Sequence, residues 1–276
     1  MMNQSRICAA RLISRNGRLR KLIAFLYRLS VGTKSITTDR FLRKITAADK
    51  VLEIGPFVHP RITGENVSYF DVLNSEELLA RAKEHNYAVD QVPAIDFVSA
   101  TGDLKIVDKE FDKILSSHCI EHQPDLITHL NDATRILKPG GEYYLIVPDK
   151  RYCFDALLPE TNIGALISAF EEKKIKHTLK SIIEHRALTT HNNPYQHWLG
   201  YHGAAAENKD QIARAIREFR DANDGYVDVH AWQFTPVSFA KIIALLHAMK
   251  FIELQVSEIY PTAPFSLEFH AVLKRN

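Results

Sequence analysis

Between residues 50 and 148 the chain repeats one pattern: a short apolar run, a loop or helical stretch, then another apolar run. The runs are Lys50-Val51-Leu52-Glu53-Ile54-Gly55, Val67 to Val72, Ile95-Asp96-Phe97-Val98, Phe111 to Ser116 and Tyr143 to Val147. Apolar runs this short, bounded by glycine, proline and acids, read as strands buried on both faces, which is how parallel sheets are built. Between the second and third, Ser75-Glu76-Glu77-Leu78-Leu79 opens like an N-capped helix with acids in its first turn. Leu126, Ile127, Leu130, Ala133, Ile136 and Leu137 then fall at helical spacing until Lys138-Pro139-Gly140-Gly141 stops the helix. Short crossovers between buried strands predict an α/β fold with an open, doubly wound sheet, whose ligands sit at the carboxyl ends of the strands.

After Pro148 the next strands are expected at Phe251 to Ile259 and Leu267 to Leu273, with helical patterns near 162–186, 204–222 and 236–249. The connection is far longer than the few residues that usually join two elements. Residues 150–235 are therefore expected to be an insertion that builds the substrate side.

A net charge of only +2 hides an asymmetry. Residues 1–44 carry eleven arginines and lysines against the single acid Asp39, a balance of +10, so the remainder carries −8. Residues 1–48 read as a basic helical arm and 49–276 as the folded domain. Such an arm suits a membrane surface, a polyanion, organellar transit or docking on the acidic body, and these alternatives stay open. No run approaches the roughly 20 apolar residues of a membrane span. Cys8, Cys119 and Cys153 have no paired-ligand spacing, which favours a reducing compartment. A cytoplasmic protein is expected, at most peripheral to the inner membrane face.

The chemistry is expected at the strand ends. Gly55 lets a ligand approach the backbone closely, and Glu53 two residues earlier offers a carboxylate. Asp71 ends the second strand, where open α/β folds place the acid that accepts from ribose hydroxyls. Phe57 and Pro60 stand where the later glycines of G-x-G-x-x-G would fall, so a nucleoside ligand without a diphosphate is expected.

The order VLEIGP, YFD, FDKILSSHCIEH and ILKPGGEYYLIVPD resembles that of class I S-adenosylmethionine-dependent methyltransferases over roughly residues 48–150. PDKRYCFD and DVHAWQFTPVSF extend the likeness toward bacterial methyltransferases associated with glycosyltransferases of cell-surface polysaccharide synthesis. The resemblance implies a Rossmann-like, mainly parallel seven-stranded sheet with an antiparallel last strand, and S-adenosylmethionine as cofactor. It places Glu53 at the methionine end of the cofactor, Gly55 and Pro56 in the close-approach turn and Asp71 on the ribose. Gly102, Asp103 and Leu104 fall at the adenine, and Ser117 and His118 beside the sulfonium. The glycine-poor turn Gly55-Pro56-Phe57-Val58-His59 departs from the family pattern.

A sugar hydroxyl needs a base, for which His118, His122 and Asp149 are the candidates. His118 and His122 would share one face if they stood on a helix. No metal is expected, because H-C-I-E-H sets the acid one place away from H-E-x-x-H. Arg151 and Tyr152 after the fifth strand, and His230 and Trp232 in an alternating segment, are candidate substrate contacts; an Asp149–Arg151 ion pair and core packing of Trp232 and Phe234 are the competing readings. No N-P-P-Y type loop for gripping planar amino groups follows the fourth strand, which favours an oxygen acceptor. A sugar in glycan synthesis is the expected acceptor. The alternatives are an RNA methyltransferase and a non-catalytic cofactor-binding or scaffold protein. Nucleic acid is not an expected partner; peripheral membrane or glycosyltransferase contact through the arm is.

Overall fold

The computed structural model of the chain describes residues 35–89, 92–205, 208–223 and 225–276. The basic stretch 1–34, read above as helical, lies outside them. Strands β1 (Val51–Ile54), β2 (Val67–Asp71), β3 (Phe97–Val98), β4 (Phe111–Ser117), β5 (Leu137–Pro148), β6 (Gln255–Tyr260) and β7 (Glu268–Lys274) form one sheet in the order β3-β2-β1-β4-β5-β7-β6. Pairing is parallel from β3 through β5, and β7 runs antiparallel to both β5 and β6. The expected sheet, including its antiparallel last strand, is therefore the observed one.

Alternation along the central strands divides the core into two layers. Ile114, Tyr143, Leu145, Val147, Phe269, Ala271 and Leu273 point into the main core, together with helix Leu126–Ile136 and helix Pro236–Ala248. Leu115, Tyr144, Ile146 and Val272 point the other way and meet Ile36 and Phe41. Phe41 is fully buried, with its ring 5.2 Å from Tyr144 and 4.8 Å from His270. Residues 36–45 are thus a layer of the folded body, so a boundary at residue 48 does not separate arm from domain.

Two expectations change in detail. Lys138-Pro139-Gly140-Gly141 stops the helix, but the chain continues straight into β5, with the register against β4 shifting from Phe111–Leu137 to Lys113–Glu142. The left-handed Gly140 (φ +78) and Gly141 absorb that bulge, Gly140 donating to the Arg275 carbonyl. The 162–186 pattern divides into helices Ile163–Glu171 and Leu179–Ala187, each opened by a side-chain cap, Asn162 and Thr178. Helix Leu179–Ala187 pairs with Lys209–Asp221 over a small separate core of Ile182, Ala215, Val227 and Val229, pinned by Arg186 on Glu218. No described helix is long and apolar enough to cross a membrane.

Candidate active site

The strand order reverses between β1 and β4, and the crevice at their carboxyl ends is where a ligand is expected. A cavity of about 420 Å³ lies there, lined by Gly55, Phe57, Asp71, Gly102, His118, Cys119, His122, Tyr226 and Asp228, among others. That volume is within the range of about 300–1,000 Å³ typical of small-molecule sites.

Gly55 forms the floor. Its φ is +69, and a Cβ added there would stand 2.6 Å from Cys119 Sγ. Phe57 takes the next left-handed position, φ +50, so the turn reaches its shape with one glycine where the family pattern offers more. Asp71 ties this turn to β2: its carboxylate accepts from Phe57 N at 3.3 Å and Val72 N at 2.7 Å. Burial raises its pKa, and backbone N–H bonds from Leu73, Val72 and Phe57 oppose that shift. Asp71 faces the cavity, so Gly55, Asp71, Gly102 and His118 are brought together as expected.

Other expected contacts are not brought there. Glu53 does not line the cavity; it is buried and accepts from Arg61 N at 2.8 Å and Ile62 N at 3.2 Å, closing the loop after β1. Burial raises its pKa to about 7 against the pull of those two donors. Pro56 is buried and Ser117 turns its hydroxyl inward, without a hydrogen-bond partner among the described residues. Asp103 and Leu104 line an adjoining cavity of about 660 Å³, reached past Gly102 and Gln123, where Leu104 belongs to the core and Asp103 caps Lys105 N.

Asp149, a candidate base, is placed as a brace of the loop after β5. It is fully buried, chelated by Arg151 Nε at 2.9 Å and Nη2 at 2.6 Å, and accepts from Thr262 Oγ1 at 2.6 Å. It is not among the residues that line the cavity. Arg151 lies over Tyr152, which stacks on Trp198 at 4.1 Å, so the pair holds the insertion against the sheet. Trp232 packs in the main cluster, its indole N–H donating to the Gln123 carbonyl at 2.6 Å, and it lines a separate cavity of about 290 Å³ rather than the one at the strand ends. Asp149→Asn is expected to lower unfolding free energy by about 2 kcal/mol, measured in urea, with cofactor affinity unchanged; weakened cofactor binding at unchanged stability would restore Asp149 to the site.

His118 and His122 do not share a helix face. His118 is left-handed (φ +54), and Ile120–His122 form a single 3₁₀ turn. Each imidazole reaches its own acid: His118 Nε2 lies 3.0 Å from Glu268 Oε2, and His122 Nδ1 lies 2.9 Å from Asp228 Oδ1. Burial pulls the His118 pKa down, but the Glu268 hydrogen bond and the charges of Glu121 and Glu268 outweigh it and the net shift is upward. Glu268 is in turn held by Thr38 Oγ1 at 2.6 Å, so the segment before β1 braces this histidine. His230 is deeper, its Nδ1 at 2.6 Å from Asp155 Oδ2. Asp228 and Glu268 are not among the expected site residues, and Glu121 entered only as the displaced acid of H-C-I-E-H. The Glu121 carbonyl accepts from Ala231 N at 2.7 Å, which docks the His230 segment on the 3₁₀ turn.

The residues present fit a nucleoside-bearing cofactor: the Gly55 cradle admits no side chain, and the Asp71 carboxylate faces the same space. Residues 60–145 match the family described as "Methyltransferase domain". No curated protein matches the sequence. Among solved structures the chain is similar to a putative S-adenosylmethionine-dependent methyltransferase from Listeria monocytogenes, at 12% identity over 86% of this chain and 97% of that one, TM-score 0.44. A Methanosarcina mazei S-adenosylmethionine-dependent methyltransferase gives 15% identity, coverages of 87% and 98%, and TM-score 0.42. The methyltransferase CalH in complex with S-adenosylhomocysteine gives 14% identity and TM-score 0.38 over 83% of this chain, which spans 51% of CalH. The match to a methyltransferase domain thus falls on the segment from before β2 into β5, which carries Asp71, Gly102 and His118 of the cavity at the switch point.

Proposed function

We propose that the enzyme methylates a hydroxyl of a small acceptor, a sugar in glycan or polysaccharide synthesis. The observation that carries this reading is the lining of the cavity at the strand ends. It includes His118, His122 and Asp228, a polar and imidazole-rich set that suits an oxygen that must lose a proton. The bound cofactor supplies an electrophilic methyl group on a sulfonium.

Everything else in the reaction falls to the chain. Asp71 accepts from the ribose hydroxyls, and Gly55 lets the cofactor lie against backbone. His118, oriented by Glu268, takes the acceptor proton. Much of the rate of an in-line displacement comes from holding acceptor and methyl close and aligned, so the insertion, whose Tyr226 and Asp228 line the cavity, sets the acceptor's identity. The basic stretch before residue 35 would bring the enzyme to an anionic membrane or to a glycosyltransferase where the glycan is built.

Titration with S-adenosylhomocysteine should show binding that Asp71→Ala weakens about tenfold, the value of one charge-assisted hydrogen bond. Transfer of a labelled methyl group into extracts containing nucleotide sugars and lipid-linked glycans should label a glycan. Label appearing only in RNA would overturn the sugar assignment while leaving the cofactor site intact.

A further inference from the structure

Glu121 is fully buried, and among the described residues neither of its carboxylate oxygens has a hydrogen-bond partner. Three imidazoles surround one of them: His118 Nδ1, His122 Nε2 and His230 Nε2 each lie 3.8 Å from Glu121 Oε1. That distance is too long for a hydrogen bond. A buried carboxylate without donors is several kcal/mol unfavourable, so the arrangement needs another positive partner.

The far nitrogen of each ring shows what that partner is. His230 Nδ1 is 2.6 Å from Asp155, His122 Nδ1 is 2.9 Å from Asp228, and His118 Nε2 is 3.0 Å from Glu268. An imidazole whose one nitrogen is held by a carboxylate presents the other as a lone pair, the arrangement by which proteins orient metal-binding histidines. Ligand atoms of Glu121, His122 and His230 all lie within 4.8 Å of one another. On a four-coordinate cation with bonds of about 2.1 Å, ligand atoms stand roughly 3.4 Å apart, so side-chain adjustments of about 1 Å close the site.

We propose that Glu121, His122 and His230 bind one divalent first-row transition-metal cation. Its open position faces the cofactor cavity, because His122 lines that cavity while Glu121 and His230 are buried behind it. Two imidazoles and one carboxylate select such a cation over magnesium or calcium. The metal's task rests on the hydroxyl-acceptor reading above: it seats the acceptor oxygen beside the methyl group, with His118 adjacent. The expectation of no metal assumed the helical spacing of H-E-x-x-H. Here a 3₁₀ turn and a strand-like segment over 100 residues later assemble the ligands instead.

The test is metal content, measured by inductively coupled plasma mass spectrometry on the full chain after zinc loading and exhaustive dialysis. Wild type should retain about one equivalent, whereas Glu121→Gln, His122→Ala and His230→Ala should each retain little. Cobalt substitution should add visible absorption bands in wild type alone. His197→Ala, which alters the separate pair His197–His202 (Nδ1 to Nδ1 2.9 Å), should keep the metal. Circular dichroism identifies any variant that fails to fold, and the isosteric Glu121→Gln then decides. Metal-free wild type after loading, or retention by folded Glu121→Gln and His230→Ala, overturns the site. S-adenosylhomocysteine titration of the same samples reports separately on the methyltransferase reading.

Discussion

Gly55→Ala is expected to weaken S-adenosylhomocysteine binding on the order of 100-fold. Two strains add. The residue sits at φ +69, where a side chain costs roughly 1–2 kcal/mol. The new Cβ would also lie 2.6 Å from Cys119 Sγ, and forcing extra volume into a packed site costs roughly 1–3 kcal/mol. Cys119 cannot simply swing away, because its thiol is held between the carbonyls of Ile54 and Ser117, both at 3.3 Å. The strain instead displaces the end of β1 or the turn after β4, both of which line the cavity. About 3 kcal/mol corresponds to the stated loss, since each 1.4 kcal/mol is tenfold. Adding Cys119→Ala removes the clash but not the left-handed strain, so the double variant should recover only part of the affinity. Calorimetric titration of wild type and both variants measures this, and wild-type affinity in Gly55→Ala would remove the turn from the cofactor site.

The sheet was legible because its strands are short, apolar and separated by crossovers, a pattern that depends only on neighbours in sequence. Gly55 and Asp71 were legible for a related reason: the fold fixes what lies at the end of a given strand. Glu53 misled because the same position also suits a buried loop staple, and only the location of Arg61 N and Ile62 N distinguishes the two. Phe57 misled in the opposite sense, since counting glycines does not reveal that a phenylalanine adopts the left-handed turn. The acid partners of the site were invisible. Glu268 meets His118 across 150 positions of sequence, and Asp228 meets His122 across more than 100. Helical spacing was assumed at His118–His122, where the backbone makes a strand end and a 3₁₀ turn. The fold thus follows from local periodicity, whereas the acceptor side follows from where a long insertion returns to the sheet.

Acid should unfold this protein well before its carboxylates alone would. His129 is the clearest cause. It is 5% exposed inside the main core, its Nε2 lies 2.9 Å from Tyr143 Oη, and its Nδ1 has no partner among the described residues. Tyr143 donates onward to Ser116 Oγ at 3.0 Å, so the neutral ring is satisfied through Nε2–H. Protonation would place an unpartnered cationic N–H in apolar surroundings, and burial accordingly lowers the His129 pKa from 6.5 to about 4. Between those values the unfolded chain binds a proton that the native chain does not. Stability is therefore fully present above pH 6.5 and is lost as pH falls toward 4, by roughly 3 kcal/mol from this residue. His270 and His177, each lowered to about 4 first by burial, act in the same direction. Three such groups approach the whole stability of a typical domain, about 5–15 kcal/mol. Urea unfolding of wild type and His129→Leu at pH 7 and pH 4.5 isolates the term. The variant should be less sensitive to acid by about 2–3 kcal/mol, and equal pH dependence in the two proteins would show that His129 is already charged in the native state.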